Sequence, residues 1–269
     1  MSVEQINVDL PHGRVNVLAS GSGPTLVVLH RDNGRFGFGK LHERLAKSLR
    51  VVAPALPGYD ESDRPTWLRN VPDLAALTGF ALDKMNIGPV AVLGLGFGGW
   101  VAAELAVHSP KRVNQLLLHS PMGVKPTEGE IADQFLFEPE NYVKRGFTSI
   151  EAHERSFPGG DAKYMEQWDK NREMTTRIAY KPYMFDLALP HLLKSLNVPA
   201  LVSWSTGDKI VPKSCATIYK DAIPGAKYVE LPNTGHNADF ETPDAVADMV
   251  LRHLEATGYL KSAGNRAAS

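Results

Sequence analysis

Val90-Ala91-Val92-Leu93-Gly94-Leu95-Gly96-Phe97-Gly98-Gly99-Trp100 reads as an apolar strand, then a glycine-dense turn, then the first turn of a helix continuing through Val101-Ala102-Ala103-Glu104-Leu105-Ala106. Taken literally, Gly94, Gly96 and Gly99 satisfy the G-x-G-x-x-G spacing that brings a backbone against a dinucleotide pyrophosphate. That chemistry also requires an acidic residue about 20 positions later, at the end of the next strand, to bind the ribose hydroxyls. The corresponding place holds Leu118-His119-Ser120, with no carboxylate. Several strand-like runs also precede the motif, whereas a dinucleotide-binding unit begins with it. A dinucleotide-binding oxidoreductase is therefore the weakest reading.

On either side, short apolar runs alternate with helical patterns. Gln5 to Leu10 and Arg14 to Ala19 flank Pro11-His12-Gly13 and predict a hairpin. The runs Thr25–Leu29, Val51–Ala53, Val90–Leu93, Leu116–Leu118, Ala200–Val202 and Tyr228–Leu231 suit strands buried on both faces. Amphipathic stretches lie around Leu41 to Leu49, Leu74 to Met85, Val101 to Val107, Cys215 to Ala222 and Ala245 to Leu254. The pattern predicts a mainly parallel, eight-stranded α/β sheet with helices on both sides. Thr242 and Pro243 should start the last helix, the threonine as its cap.

One region breaks the alternation. Residues 123–196 show no strong strand signal but carry Phe135, Phe137, Tyr142, Phe147, Tyr164, Trp168, Tyr180 and Tyr183. They are expected to form a helical cap over a core domain made of 1–122 and 197–269. Most of these rings should be the cap's own core, with Trp168 a candidate for contact with substrate. The tail from Ser262 to Ser269 is expected to fray.

Composition narrows the partners. The formal net charge of -1 over 269 residues supplies no field to recruit nucleic acid or an anionic membrane. No apolar run approaches the roughly 20 residues of a membrane helix. A single cysteine, Cys215, excludes an intramolecular disulfide, and the N-terminus lacks a basic-then-apolar leader. These features predict a cytoplasmic protein acting on a small molecule; a homo-oligomer stays open. No His, Cys, Asp and Glu spacing suggests a metal site, and no cofactor is implied.

Four motifs in order resemble the α/β-hydrolase superfamily over nearly the whole chain. Leu29-His30 resembles its oxyanion loop, and Leu56-Pro57-Gly58-Tyr59-Asp60-Glu61-Ser62 its "LPGxGxS" segment. Gly207-Asp208-Lys209-Ile210-Val211-Pro212 resembles the acid loop, and Gly235-His236-Asn237 with Glu241-Thr242-Pro243 the histidine loop. The opening stretch then matches the nucleophile elbow G-x-S-x-G, with glycine where the serine belongs. The resemblance implies a triad of position 96, Asp208 and His236. It also implies an oxyanion hole from the Phe97 amide and the Arg31-Asp32 region, with His30, Leu95 and Asn237 beside the pocket. Taken singly, Asp208 is equally an aspartate satisfying turn amides, and His236 an ordinary loop histidine.

Gly96 relieves a strained backbone position but forms no acyl-enzyme, since that needs an activated oxygen or sulfur. Arg31 replaces the small glycine expected after the oxyanion-loop histidine. The simplest expectation is that Arg31 and Asp32 pair with each other or turn to solvent. Three classes of function remain. One is an enzyme using a His-Asp general-base dyad on a small, partly apolar carbonyl compound such as an ester, lactone or β-dicarbonyl. The others are a serine hydrolase silenced at position 96 and a non-catalytic ligand-binding protein.

Overall fold

A computed structural model describes residues 2–160, 162 and 164–260. The tail from Ser262 to Ser269 lies outside the described residues. The strands are β1 (Glu4–Leu10), β2 (Gly13–Ser20), β3 (Thr25–Leu29), β4 (Arg50–Pro54), β5 (Val90–Leu95), β6 (Val113–His119), β7 (Ala200–Ser205) and β8 (Lys227–Leu231). They form one eight-stranded sheet in the order β1-β2-β4-β3-β5-β6-β7-β8. β1 and β2 pair antiparallel, as does β2 with β4, and every later pairing is parallel.

The helices are α1 (Lys40–Leu45), α2 (Val71–Lys84), α3 (Phe97–His108), α4 (Pro139–Arg145), α5 (Ile150–Ser156), α6 (Met165–Ala179), α7 (Leu189–Leu192), α8 (Lys213–Ala222), α9 (Ala238–Glu241) and α10 (Pro243–Ala256). Burial alternates along β3: Val27 and Leu29 belong to a core shared with α2, α3 and α8, while Leu26 and Val28 belong to one shared with α1 and α10. Both faces of the sheet are therefore covered, which is why its strands read as continuous apolar runs. Between β6 and β7 the chain passes through α4 to α7 and touches the core in an isolated bridge between Gly123 and Phe185.

The expected cap of α10 differs in detail. Thr242 occupies the N-cap position but makes no side-chain capping bond; its hydroxyl meets Thr234 and the Ala238 carbonyl instead. The short helix α9 ends immediately before it and supplies that competing acceptor.

Candidate active site

β5 ends at Leu95, and Gly96 turns the chain with φ 53° and ψ -113°, a conformation costing a residue with a Cβ about 1–3 kcal/mol. Its amide donates to the His119 carbonyl at 2.9 Å, and its carbonyl accepts from Met122 at 3.1 Å. Gly98 presses α3 against β3: a side chain there would collide with the carbonyls of Leu29 and His30. This approach brings the start of α3 beside the loop after β3. The Phe97 amide is in the first helical turn and so has no acceptor within the helix.

The loops after β7 and β8 supply the other half. Asp208 does both things its sequence allowed. Its Oδ1 accepts from the amides of Ile210 and Val211, each at 2.8 Å, and its Oδ2 holds His236 Nδ1 at 2.8 Å. Burial raises the Asp208 carboxyl, but His236 and the two amides outweigh it and hold the group below its ordinary value. The histidine loop is tied by Glu241, which accepts from the Gly235 amide at 2.8 Å and from Thr148. His236 is 2% exposed, and its Nε2 has no hydrogen-bond partner among the described residues. That nitrogen points at the elbow: a Cβ added to Gly96 would lie 2.7 Å from it.

The loop after β3 departs from expectation. Arg31 and Asp32 neither pair with each other nor reach solvent, being 2% and 1% exposed. Arg31 passes over the elbow, its Cγ 3.2 Å from where a Gly96 Cβ would stand. Its guanidinium binds the Asp239 carboxylate and donates to the His236 carbonyl at 2.5 Å. Asp239, three residues beyond His236, attracts the arginine away from Asp32. Asp32 instead accepts from the Tyr142 hydroxyl of α4 at 2.9 Å. Burial pushes the Asp32 carboxyl above its ordinary value, against the opposing pull of His236, Tyr142 and Arg31.

Four residues expected beside a pocket serve other ends. His30 accepts from the Leu56 amide through Nε2 at 2.9 Å, and its Nδ1 lies 2.6 Å from the Arg31 carbonyl. Both ring nitrogens are thus spent on backbone. Leu95 points into the apolar core shared with α1 and α10, because the residue before the turn still follows the strand's alternation. Asn237 staples the histidine loop to the β6–β7 segment, donating to the Gly146 carbonyl from its amide and to the Val143 carbonyl from its side chain. Trp168 stacks on Tyr164 and packs edge-on against Phe36 and Phe157, inside a ring cluster.

Sequence reasoning passed over Tyr142 as one aromatic among many, and missed Asn171 and Thr175 of α6. Asn171 donates to the Asn33 carbonyl at 2.9 Å and to Asp60 at 2.8 Å, and Thr175 donates to the Asp32 carbonyl at 3.2 Å. With Tyr142 they latch the β6–β7 segment over the loop after β3. Beneath the elbow, His119 bridges the hydroxyls of Ser203 and Ser205 at 2.9 and 3.1 Å. Burial, reinforced by Arg31 and His236, drives its pKa down to about 3, so it is neutral. A cleft of ≈ 520 Å³ at the opposite edge of the sheet, between Arg50, Asn86, Asn114 and Tyr259, contains none of these motifs. No helix among the described residues is long and apolar enough to cross a membrane.

Comparison with known proteins agrees with this fold. A family model described as "Alpha/beta hydrolase family" matches residues 17–249. A 2-hydroxy-6-oxononadienedioate/2-hydroxy-6-oxononatrienedioate hydrolase of Dechloromonas aromatica is 29% identical, over 87% of this chain and 88% of its own. An uncharacterized protein of Mycobacterium tuberculosis is 35% identical, over 88% of this chain and 77% of its own. The structure of a 2-hydroxy-6-oxo-6-phenylhexa-2,4-dienoate hydrolase from Rhodococcus superposes with a TM-score of 0.76 at 20% identity, covering 94% of this chain and 100% of that one.

Proposed function

The chain belongs to the alpha/beta hydrolase family, and from that premise we propose that it cleaves a small, partly apolar carbonyl compound by general-base catalysis without an acyl-enzyme. One observation carries this reading: His236 Nε2 is buried, unpartnered and aimed at the vacant elbow, while Asp208 fixes the other ring nitrogen. Asp208 accepts at Nδ1, which sets the tautomer that leaves Nε2 as the basic atom. His236 takes a proton from water, and the hydroxide adds to the carbonyl carbon. The Phe97 amide meets the developing oxyanion. The bond to the leaving group then breaks, and the imidazolium returns its proton to the departing oxygen or carbon. The helices between β6 and β7 act as a cap that excludes bulk water, and their latches must open for substrate to arrive. That relatives are named as hydrolases of a 2-hydroxy-6-oxononadienedioate and of 2-hydroxymuconate semialdehyde, both carbonyl compounds, supports a carbonyl substrate.

A screen over aryl esters, lactones and β-diketones tests the reading. Turnover is expected in the unaltered chain without a burst of bound product, and should vanish in His236→Ala. Turnover that survives His236→Ala overturns it.

A second reading, a binding protein with a closed site, is supported by Arg31, which lies over the elbow and is clamped by Asp239 and the His236 carbonyl. It predicts tight small-molecule binding and no turnover, before or after Arg31→Ala.

A further inference from the structure

Asp32 is a carboxyl group in an unusual position. It is 1% exposed, and among the described residues no cation lies within ion-pair distance of it, since the neighbouring guanidinium is spent on Asp239. A charged carboxylate buried without a cation is expensive, and taking up a proton is the cheapest remedy. The groups facing it are His236 from the histidine loop, Tyr142 from α4, Arg31 and His30 from its own loop, Tyr59, and Tyr183 beyond α6. Of these, Tyr142 bonds it directly, and burial followed by Asp32 itself keeps that phenol well above its ordinary value and hence neutral.

We propose that Asp32 and Tyr142 form a carboxyl–phenol pair that hands a proton to the substrate's carbonyl oxygen, in the place where a second amide donor would otherwise stand. The inference rests on the general-base reading above. As the hydroxide made by His236 adds to the carbonyl carbon, the C=O π pair moves to oxygen and takes the Asp32 proton. The intermediate is then neutral, and Asp32 becomes a carboxylate held by the Tyr142 hydroxyl. On collapse the proton on the intermediate's new hydroxyl, not that of Tyr142, returns to Asp32, the C=O bond re-forms, and the leaving group departs with the proton from His236. Water and substrate are consumed and two products released, with no other reagent. A protonated carboxyl acting as an oxyanion donor beside a tyrosine has precedent in ketosteroid isomerase. A protonated Asp32 also carries no charge that would repel a developing oxyanion.

Two measurements test the pair. In the first, kcat/KM is followed against pH. The unaltered chain should lose activity on the alkaline side as Asp32 loses its proton. Asp32→Asn should lack that limb and run about 10²-fold slower at neutral pH. Tyr142→Phe removes a bond that favours the charged form, so its limb should move to higher pH, which a merely structural tyrosine would not do. A flat alkaline profile, or an unmoved limb in Tyr142→Phe, overturns the proposal. In the second, independent of turnover, acetophenone labelled at its carbonyl carbon is bound and its infrared C=O stretch recorded. The stretch should fall in frequency on the unaltered chain and recover in Asp32→Asn; no shift overturns the proposal. Turnover surviving His236→Ala removes the base while the infrared result still judges Asp32, so the two readings fail separately.

Discussion

The two halves of the site meet at one atom, Nε2 of His236, yet they are built differently. On the β7–β8 side, side chains do what their motifs announce: Asp208 divides its oxygens between turn amides and the imidazole, and Glu241 ties the loop. On the β3–β5 side the backbone is kept and the side chains are exchanged. The turn at Gly96 has a left-handed φ and no side chain, and the stem of Arg31 lies beside it. The difference teaches that the elbow's shape follows from sheet and helix packing, independent of any side chain at position 96, whereas the acid–histidine pair exists only through side chains.

The largest expected effect removes the β7–β8 half of the geometry. His236→Ala should lower turnover by about 10²–10⁴-fold while leaving the fold intact by circular dichroism. An equal rate would show that the β7–β8 half carries no catalysis. Next comes the exchanged half: Arg31→Ala strands Asp239 in a largely buried place and should cost about 3–5 kcal/mol in urea denaturation. If turnover rises in that variant, Arg31 is a plug over the elbow. Gly96→Ser is smaller. Its Cβ would sit 2.7 Å from His236 Nε2 at a positive φ, so roughly 1–3 kcal/mol of strain is expected, with little esterase activity gained. A large gain without loss of stability would reduce the whole β3–β5 half to a single-residue lesion.

The smallest effect is the pH dependence of stability, where the halves have opposite signs. The Asp208 carboxyl is depressed in the folded chain, so its contribution is present above the ordinary aspartate range and lost as pH falls through its folded value. Asp32 is raised, so the folded state holds its proton longer and stability drains away as pH rises through that folded value. In a denaturation-midpoint profile, Asp32→Asn should therefore remove the loss of stability that sets in as pH rises above the ordinary aspartate range, and leave the loss below that range, due to Asp208, in place. The opposite pattern would reverse the assignment of the two aspartates.

The central parallel strands were legible because burial on both faces leaves unbroken apolar runs, with the alternation beneath them visible in β3, and the antiparallel β1 and β2 because they flank the Pro11-His12-Gly13 turn. The dyad was legible because each member sits in a local motif. What escaped was long-range pairing: Asp32 with Tyr142 spans 110 residues, and Arg31 with Asp239 spans 208. No periodicity marks such partners. The expectation that Arg31 would seek its neighbour Asp32 failed for that reason, since the winning carboxylate lies on another loop. Leu95 was misjudged more simply, by nearness in sequence to the elbow rather than by side-chain direction.

Gly96 and Gly98 lie two residues apart and have opposite futures. Around Gly98 the obstruction is main chain, the carbonyls of Leu29 and His30, which no repacking moves. Around Gly96 it is an imidazole and an arginine stem, both able to swing aside. In the mutational history open to this chain, position 98 is frozen, while position 96 is a door left on the latch. Any lineage that first relaxes Arg31 gains a route to covalent chemistry through that one site.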